Sequence, residues 1–124
     1  MEFVLNDEQQ ALRDMLQSFV AKEVRPKAGE WDASAEFPRE TVAKLGELGL
    51  LGAMVPEEYG GMGLGHVAMA AVAAEAAKTR FGPFALNCQA PDEGNMHTLL
   101  HWATPAQKEK YLKPLCEGRI RSCF

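Results

Sequence analysis

The residues best suited to chemistry in this chain are a glycine run, a histidine pair, the cysteines and two pairs of adjacent carboxylates. Gly60-Gly61-Met62-Gly63-Leu64-Gly65 has the composition of a phosphate-cradling loop but not its spacing. A dinucleotide fingerprint needs G-x-G-x-x-G behind a strand, and the third position after Gly63 is His66; a P-loop needs a following Gly-Lys-Ser/Thr, and none follows. A tight turn that sets the angle into the next helix is the reading these residues support. His97 and His101 stand four apart on one helical face with Glu93 a turn earlier, which is zinc-binding spacing. Position 98 is threonine, so the His-Glu-x-x-His arrangement is missing and no fourth ligand is evident. Cys88 would act as a nucleophile only beside a histidine and an orienting carboxylate, and a buried structural thiol competes with that reading. Glu57-Glu58 and Asp92-Glu93 are neighbours in sequence, so their side chains diverge and make poor acid–base dyads. By themselves these residues describe a scaffold without a catalytic constellation.

The elements that would position them read as helices. Asn6 with Gln9 forms a capping-box pattern, Asp7 and Glu8 suit the positive end of the helix dipole, and Leu12, Met15, Leu16, Phe19, Val20 and Val24 recur on one face until Arg25-Pro26. A second helix is expected from Pro38 to about Leu48, with Val42, Leu45 and Leu48 inward. Leu50 to Pro56 is too short and too punctuated by glycine and proline for another. From about Gly65 or His66 to Lys78 the run Val67-Ala68-Met69-Ala70-Ala71-Val72-Ala73-Ala74 is apolar on every side, so that helix should be buried all round, by protein beyond this thin helical layer. A fourth helix is expected over about Pro91–Trp102. A fifth starts at Thr104-Pro105 with Gln107 completing a capping box, turns Tyr111, Leu112 and Leu115 inward and stops at Gly118. The one strand-like stretch is Ile120–Phe124. The fold class expected is all-α, with about five helices.

Composition sets the outer bounds. The 124 residues suit one domain able to bury a core without staples. Apolar residues at 47% and charged residues at 24% exclude disorder. A net charge of −4 argues against nucleic acid or an anionic membrane as a partner. No run is long enough to span a membrane, and Met1–Glu8 lacks the basic and apolar parts of a signal peptide. Cys88, Cys116 and Cys123 form no Cys-x-x-Cys pair, which suits reduced, mostly buried thiols.

Val55-Pro56-Glu57-Glu58-Tyr59-Gly60-Gly61-Met62-Gly63-Leu64 resembles a turn of the acyl-CoA dehydrogenase family, found between the second and third helices of its N-terminal helical domain. Leu5–Gln9 with Phe19-Val20 and Arg25-Pro26 resembles that domain's first helix. Phe37-Pro38 with Leu45–Gly52 resembles the second, and Leu99-Leu100 with Gln107–Leu115 and Gly118 the fifth. The set covers almost the whole chain in order. Asn87-Cys88-Gln89-Ala90-Pro91-Asp92-Glu93-Gly94-Asn95-Met96 is similar to the subgroup that includes acyl-CoA dehydrogenase family members ten and eleven.

The resemblance implies an oxidoreductase of fatty acid metabolism with three parts: this helical domain, a β-domain and a C-terminal helical domain. FAD would lie between them, in a dimer or tetramer. It implies oxidation of acyl-CoA thioesters to 2,3-enoyl-CoA, with long-chain, branched or hydroxylated acyl groups. A C-terminal carboxylate would take the α-proton, and the flavin the β-hydride. An electron-transfer flavoprotein or similar acceptor would be a partner. Residues 1–118 would be the helical domain and 119–124 the start of the linker or first strand of the β-domain. The segment alone would then be inactive, without β-domain or catalytic glutamate. By position Phe124 is the expected cofactor contact, and Gln89, Met96, Leu99 and Leu100 the expected lining of the acyl pocket; ordinary core packing is the rival role for the two leucines. The compartment implied is cytoplasmic for a bacterial protein and mitochondrial or peroxisomal for a eukaryotic one. A free-standing helical module that binds an acyl group or a protein without catalysis is the alternative, and a purely structural dimerisation domain a weaker third.

Overall fold

The computed structural model describes residues 4–87 and 91–123, with every side chain in those ranges except that of Phe84. It is all-α: the described residues form helices and turns without a strand. No described helix is long and apolar enough to cross a membrane.

Helix α1 (Asp7–Phe19) opens as its sequence predicts. Asn6 Oδ1 accepts from the Gln9 backbone N–H at 2.8 Å, and Gln9 Oε1 accepts from the Asn6 N–H at 3.1 Å. The helix then widens into a π turn over Val20–Val24, closed by Arg25 N–H donating to Val20 O at 2.8 Å. A second π turn, Lys108–Leu112, lies between α7 (Pro105–Gln107) and α8 (Lys113–Cys116). Each wide turn ends two residues before a proline, Pro26 or Pro114. A proline ring collides with the carbonyl four residues back, and widening the turn moves that carbonyl aside while the rod continues.

Helix α2 (Ala28–Ser34) has no counterpart among the expected helices; its anchor is Trp31, buried edge-on against Phe81 with ring centroids 5.7 Å apart. Helix α3 (Arg39–Glu47) starts one residue after Pro38 and buries Val42 and Leu45. Leu48 was expected inward and is exposed, because the chain leaves the helix there through left-handed Gly49 (φ +73°). Met15, on the flank of the α1 stripe, is likewise more exposed than its spacing suggests. So is Tyr111, since the extra residue of the π turn rotates it outward while Leu112 and Leu115 stay in.

The core has two parts. Leu16, Val20, Val24, Trp31, Val42, Leu45, Leu50, Leu51, Val72 and Ala76 pack α1, α2 and α3 against α4 (His66–Ala76) and the single turn α5 (Gly82–Ala85). Val55, Met96, Leu112, Leu115 and Cys116 join α6 (Asp92–Trp102) to α8. The turn Leu50–Val55 bridges them. A side chain at Gly52 would meet Cys116 Sγ at 2.6 Å, so glycine lets this turn lie directly on α8.

Within this chain helix α4 is covered on one side. Ala68, Ala71, Val72 and Ala76 are buried, mostly against α1, but Val67 is 60% exposed and Ala70 and Ala74 are exposed too. One packing partner covers one side of a helix, and the described residues supply no second layer over the Val67, Ala70 and Ala74 side of α4.

Candidate functional site

Helix α6 is the centre of the candidate site. Met96 is 4% exposed and lies in the second core, where Cys116 Sγ approaches its Sδ at 3.8 Å. Its other side borders a cavity of about 20 Å³ between Leu50, Leu51, Val55, Leu86, Asn87, Glu93 and His97. That is room for one water molecule. Asn87 is 2% exposed at this cavity, and its Oδ1 has no hydrogen-bond partner among the described residues. Its Nδ2 points at Leu51 O from 3.5 Å.

This cavity adjoins a groove of about 670 Å³ on the side of α4, and the two share Met54, Met69, Glu93 and His97. His66, Met69, Ala70 and Ala73 of α4 form one wall; Glu93, His97 and His101 of α6 form the other. The rings of His97 and His101 stack nearly parallel, 6.5 Å apart. Their shared face is as the sequence reads, while the arrival of His66, the remaining histidine, from another helix had no signal in the spacing. Among the described residues no three histidine, cysteine, aspartate or glutamate side chains are grouped to hold a metal ion.

Leu99 faces elsewhere. It lines a second groove, about 320 Å³, with Asn95, Thr98, Tyr111, Leu115, Ile120, Arg121 and Ser122. Leu100 packs half-buried on the second core. The residues expected to line one pocket are thus neighbours in the core, with Met96 and Leu99 bordering different hollows. Gln89, Cys88 and Phe124 lie outside the described residues.

The adjacent carboxylates do diverge. Glu93 faces the α4 groove, while Asp92 is buried toward the C-terminal segment. Asp92 Oδ1 accepts from the Ser122 N–H and hydroxyl, both at 2.7 Å, and its Oδ2 pairs with the Arg121 guanidinium at 2.6 Å. Thirty residues separate the partners, and no local pattern announces the contact.

The family model described as acyl-CoA dehydrogenase, N-terminal domain, matches residues 6–119. The chain belongs to the acyl-CoA dehydrogenase family. Glutaryl-CoA dehydrogenase of Desulfococcus multivorans is 39% identical across the whole chain, which covers 32% of that enzyme. Human acyl-CoA dehydrogenase family member 11 is 48% identical over 62 residues, half of this chain and 8% of that protein. Butyryl-CoA dehydrogenase of Megasphaera elsdenii has a solved structure that superposes with a TM-score of 0.74 at 30% identity, over 98% of this chain and 32% of that one. The chain therefore spans about a third of the length of the relatives that match it end to end.

Within this acyl-CoA dehydrogenase domain the two described cysteines differ sharply. Burial pushes the Cys116 thiol up to about 11, with the nearby Glu117 carboxylate adding to the shift, whereas Cys123 is exposed. The thiolate is the nucleophile, and at pH 8 a thiol of that pKa is ionised to about one part in a thousand. Iodoacetamide at pH 8 is expected to modify Cys123 within minutes and to reach Cys116 only in urea, as peptide mass mapping would show. Equal labelling of both in the folded chain would contradict the packing of α8.

Proposed function

We propose that this chain is the N-terminal helical wall of an FAD-dependent acyl-CoA dehydrogenase, which oxidises acyl-CoA thioesters to 2,3-enoyl-CoA, and that it supplies one side of the acyl pocket. The observation that carries the reading is the α4–α6 groove with its narrow inner end at Met96. Its volume lies in the range of small-molecule sites, and Met54, Met69, Ala70 and Ala73 give it an apolar strip beside His66, Glu93, His97 and His101. The apolar strip suits a hydrocarbon tail. On this reading Met96 closes the inner end, while Leu99 faces the second groove and Leu100 packs on the core behind Met96; Gln89 keeps its place as an acyl-lining residue only by the family resemblance.

The second groove bears on the cofactor. Tyr111, Leu115, Leu99 and Ile120 give it apolar walls, and Asn95, Thr98 and Ser122 put amide and hydroxyl groups at its edge. Such a surface fits a flat aromatic ring with a polar rim, and the strand beginning at Phe124 would carry the flavin contact. FAD, when bound, supplies the acceptor for the β-hydride. The chain's own residues order the acyl tail and exclude water from it; the proton-abstracting glutamate belongs to a C-terminal part. Residues 1–118 are then the helical domain and 119–124 the passage into a β-domain. An electron-transfer flavoprotein or similar acceptor and a homodimer or homotetramer complete the proposal.

The test is to express the whole reading frame that encodes this chain, and the 124 residues alone, each with FAD. The longer product is expected to keep a flavin spectrum through desalting and to bleach on addition of acyl-CoA. The 124-residue chain is expected to keep none. Stoichiometric flavin on the short chain, or a longer product blind to acyl-CoA, would overturn the reading.

A further inference from the structure

We propose that Asp92 is a positioning residue that locks the segment before Phe124 onto the helix of the acyl pocket, so that one carboxylate sets both the acyl wall and the approach to the flavin. The inference rests on the reading above for its cofactor half only. Asp92 is the first residue of α6, where a carboxylate ordinarily faces the free N–H groups of its own helix. Here both oxygens face the tail: Oδ1 takes two hydrogen bonds from Ser122 and Oδ2 the Arg121 guanidinium. The carboxylate is 2% exposed, and a charge so deep is tolerated only when paired and fully hydrogen-bonded.

The contacts form a directional set. Asn95, one turn along α6, donates from Nδ2 to Ser122 Oγ at 3.0 Å, and that hydroxyl in turn donates to Asp92. The Arg121 guanidinium sits 5.5 Å from the Phe37 ring centroid, so the tail is held between α6 and the entry to α3. Upstream, Gly118 (φ +71°) turns the chain out of α8, and Arg119 N–H donates to Pro114 O at 2.9 Å. Among the described residues, the side-chain hydrogen bonds and the ion pair that join this tail to α6 run to Asp92 and Asn95.

The experiment uses the complete reading-frame product, with hydrogen exchange of residues 119–123 and of α1 read by mass spectrometry and FAD affinity read by flavin fluorescence. Asp92→Asn keeps an oxygen for Ser122 but turns a donor or a neutral group toward Arg121. It is expected to speed exchange at 119–123 about ten-fold, leave α1 unchanged and weaken FAD binding about ten-fold. Uniform acceleration of every helix, or a freed tail with unaltered FAD affinity, would overturn the proposal. Ser122→Ala spares the Asp92–Arg121 pair and serves if Asp92→Asn fails to fold; it should give about a three-fold effect confined to the same segment, and no effect would be fatal to the idea. If the wild-type product takes up no flavin, the functional reading fails and the cofactor half falls with it. The exchange data still decide whether Asp92 holds the tail.

Discussion

Gly61→Ala is expected to destabilise the chain by about 3–4 kcal/mol, at the upper end of what a single added methyl does. The reason is position, not backbone freedom. A Cβ on Gly61 would overlap two backbone carbonyl oxygens, those of Val55 and Gly52. Neither can move cheaply. Val55 O accepts from Gly63 N–H at 2.9 Å, and Gly52 O accepts from Val55 N–H at 2.9 Å. Leu64 N–H donates to Ala53 O at 2.9 Å, so the arms of the turn are bonded face to face. Gly63 is the control. Its left-handed φ of +61° makes alanine strained, but nothing lies within 4 Å of the added atom, so Gly63→Ala should cost about 1–2 kcal/mol. Thermal melts would show a fall of about 10–20 °C for Gly61→Ala and roughly half of that or less for Gly63→Ala. Equal losses would mean that strain and not the close approach governs the turn.

That turn also shows what could be read from the sequence. Gly60–Gly65 failed the phosphate-loop spacings and read as a turn into the next helix, and the structure makes it one, with Gly65 preceding α4. The caps were equally legible, because a capping box is a local bargain between residues three apart: Asn6 with Gln9 and Thr104 with Gln107 both form it. The π turns were not legible, since the proline that causes each lies downstream of it. Nor was α2, whose inward content is essentially Trp31; so few turns give periodicity nothing to repeat. The site divides in the same way. His97 and His101 had to share a face, being four apart on one helix, whereas His66 joins them only because α4 and α6 flank one groove. Asp92 looked like half of a diverging pair. Its partners are thirty residues away, and only the folded tail reveals them.

Met96 variants are expected to change chain-length preference. The side chain is both core and wall: one side packs on Cys116, Leu112 and Leu115, the other borders the cavity at the inner end of the α4–α6 groove. Met96→Ala should therefore do two things in the complete enzyme. It should lower stability by about 2–4 kcal/mol, the usual result of emptying a buried methionine site. It should also lengthen the groove. Each buried CH₂ is worth about 0.8 kcal/mol, so space for two methylenes should shift relative kcat/KM toward longer acyl-CoAs roughly ten-fold. Met96→Trp adds bulk at the same place and should reverse the preference, with an overpacking loss of about 1–3 kcal/mol. Met96→Leu, nearly volume-conserving, should keep both stability and chain-length profile. The ratio of kcat/KM across a chain-length series separates the roles, because a stability loss lowers the amount of folded enzyme for every substrate alike and cancels in the ratio. A ratio that stays flat in the alanine and tryptophan variants, beside melting temperatures that fall, would make Met96 a core residue only and remove the inner end of the groove from the acyl pocket.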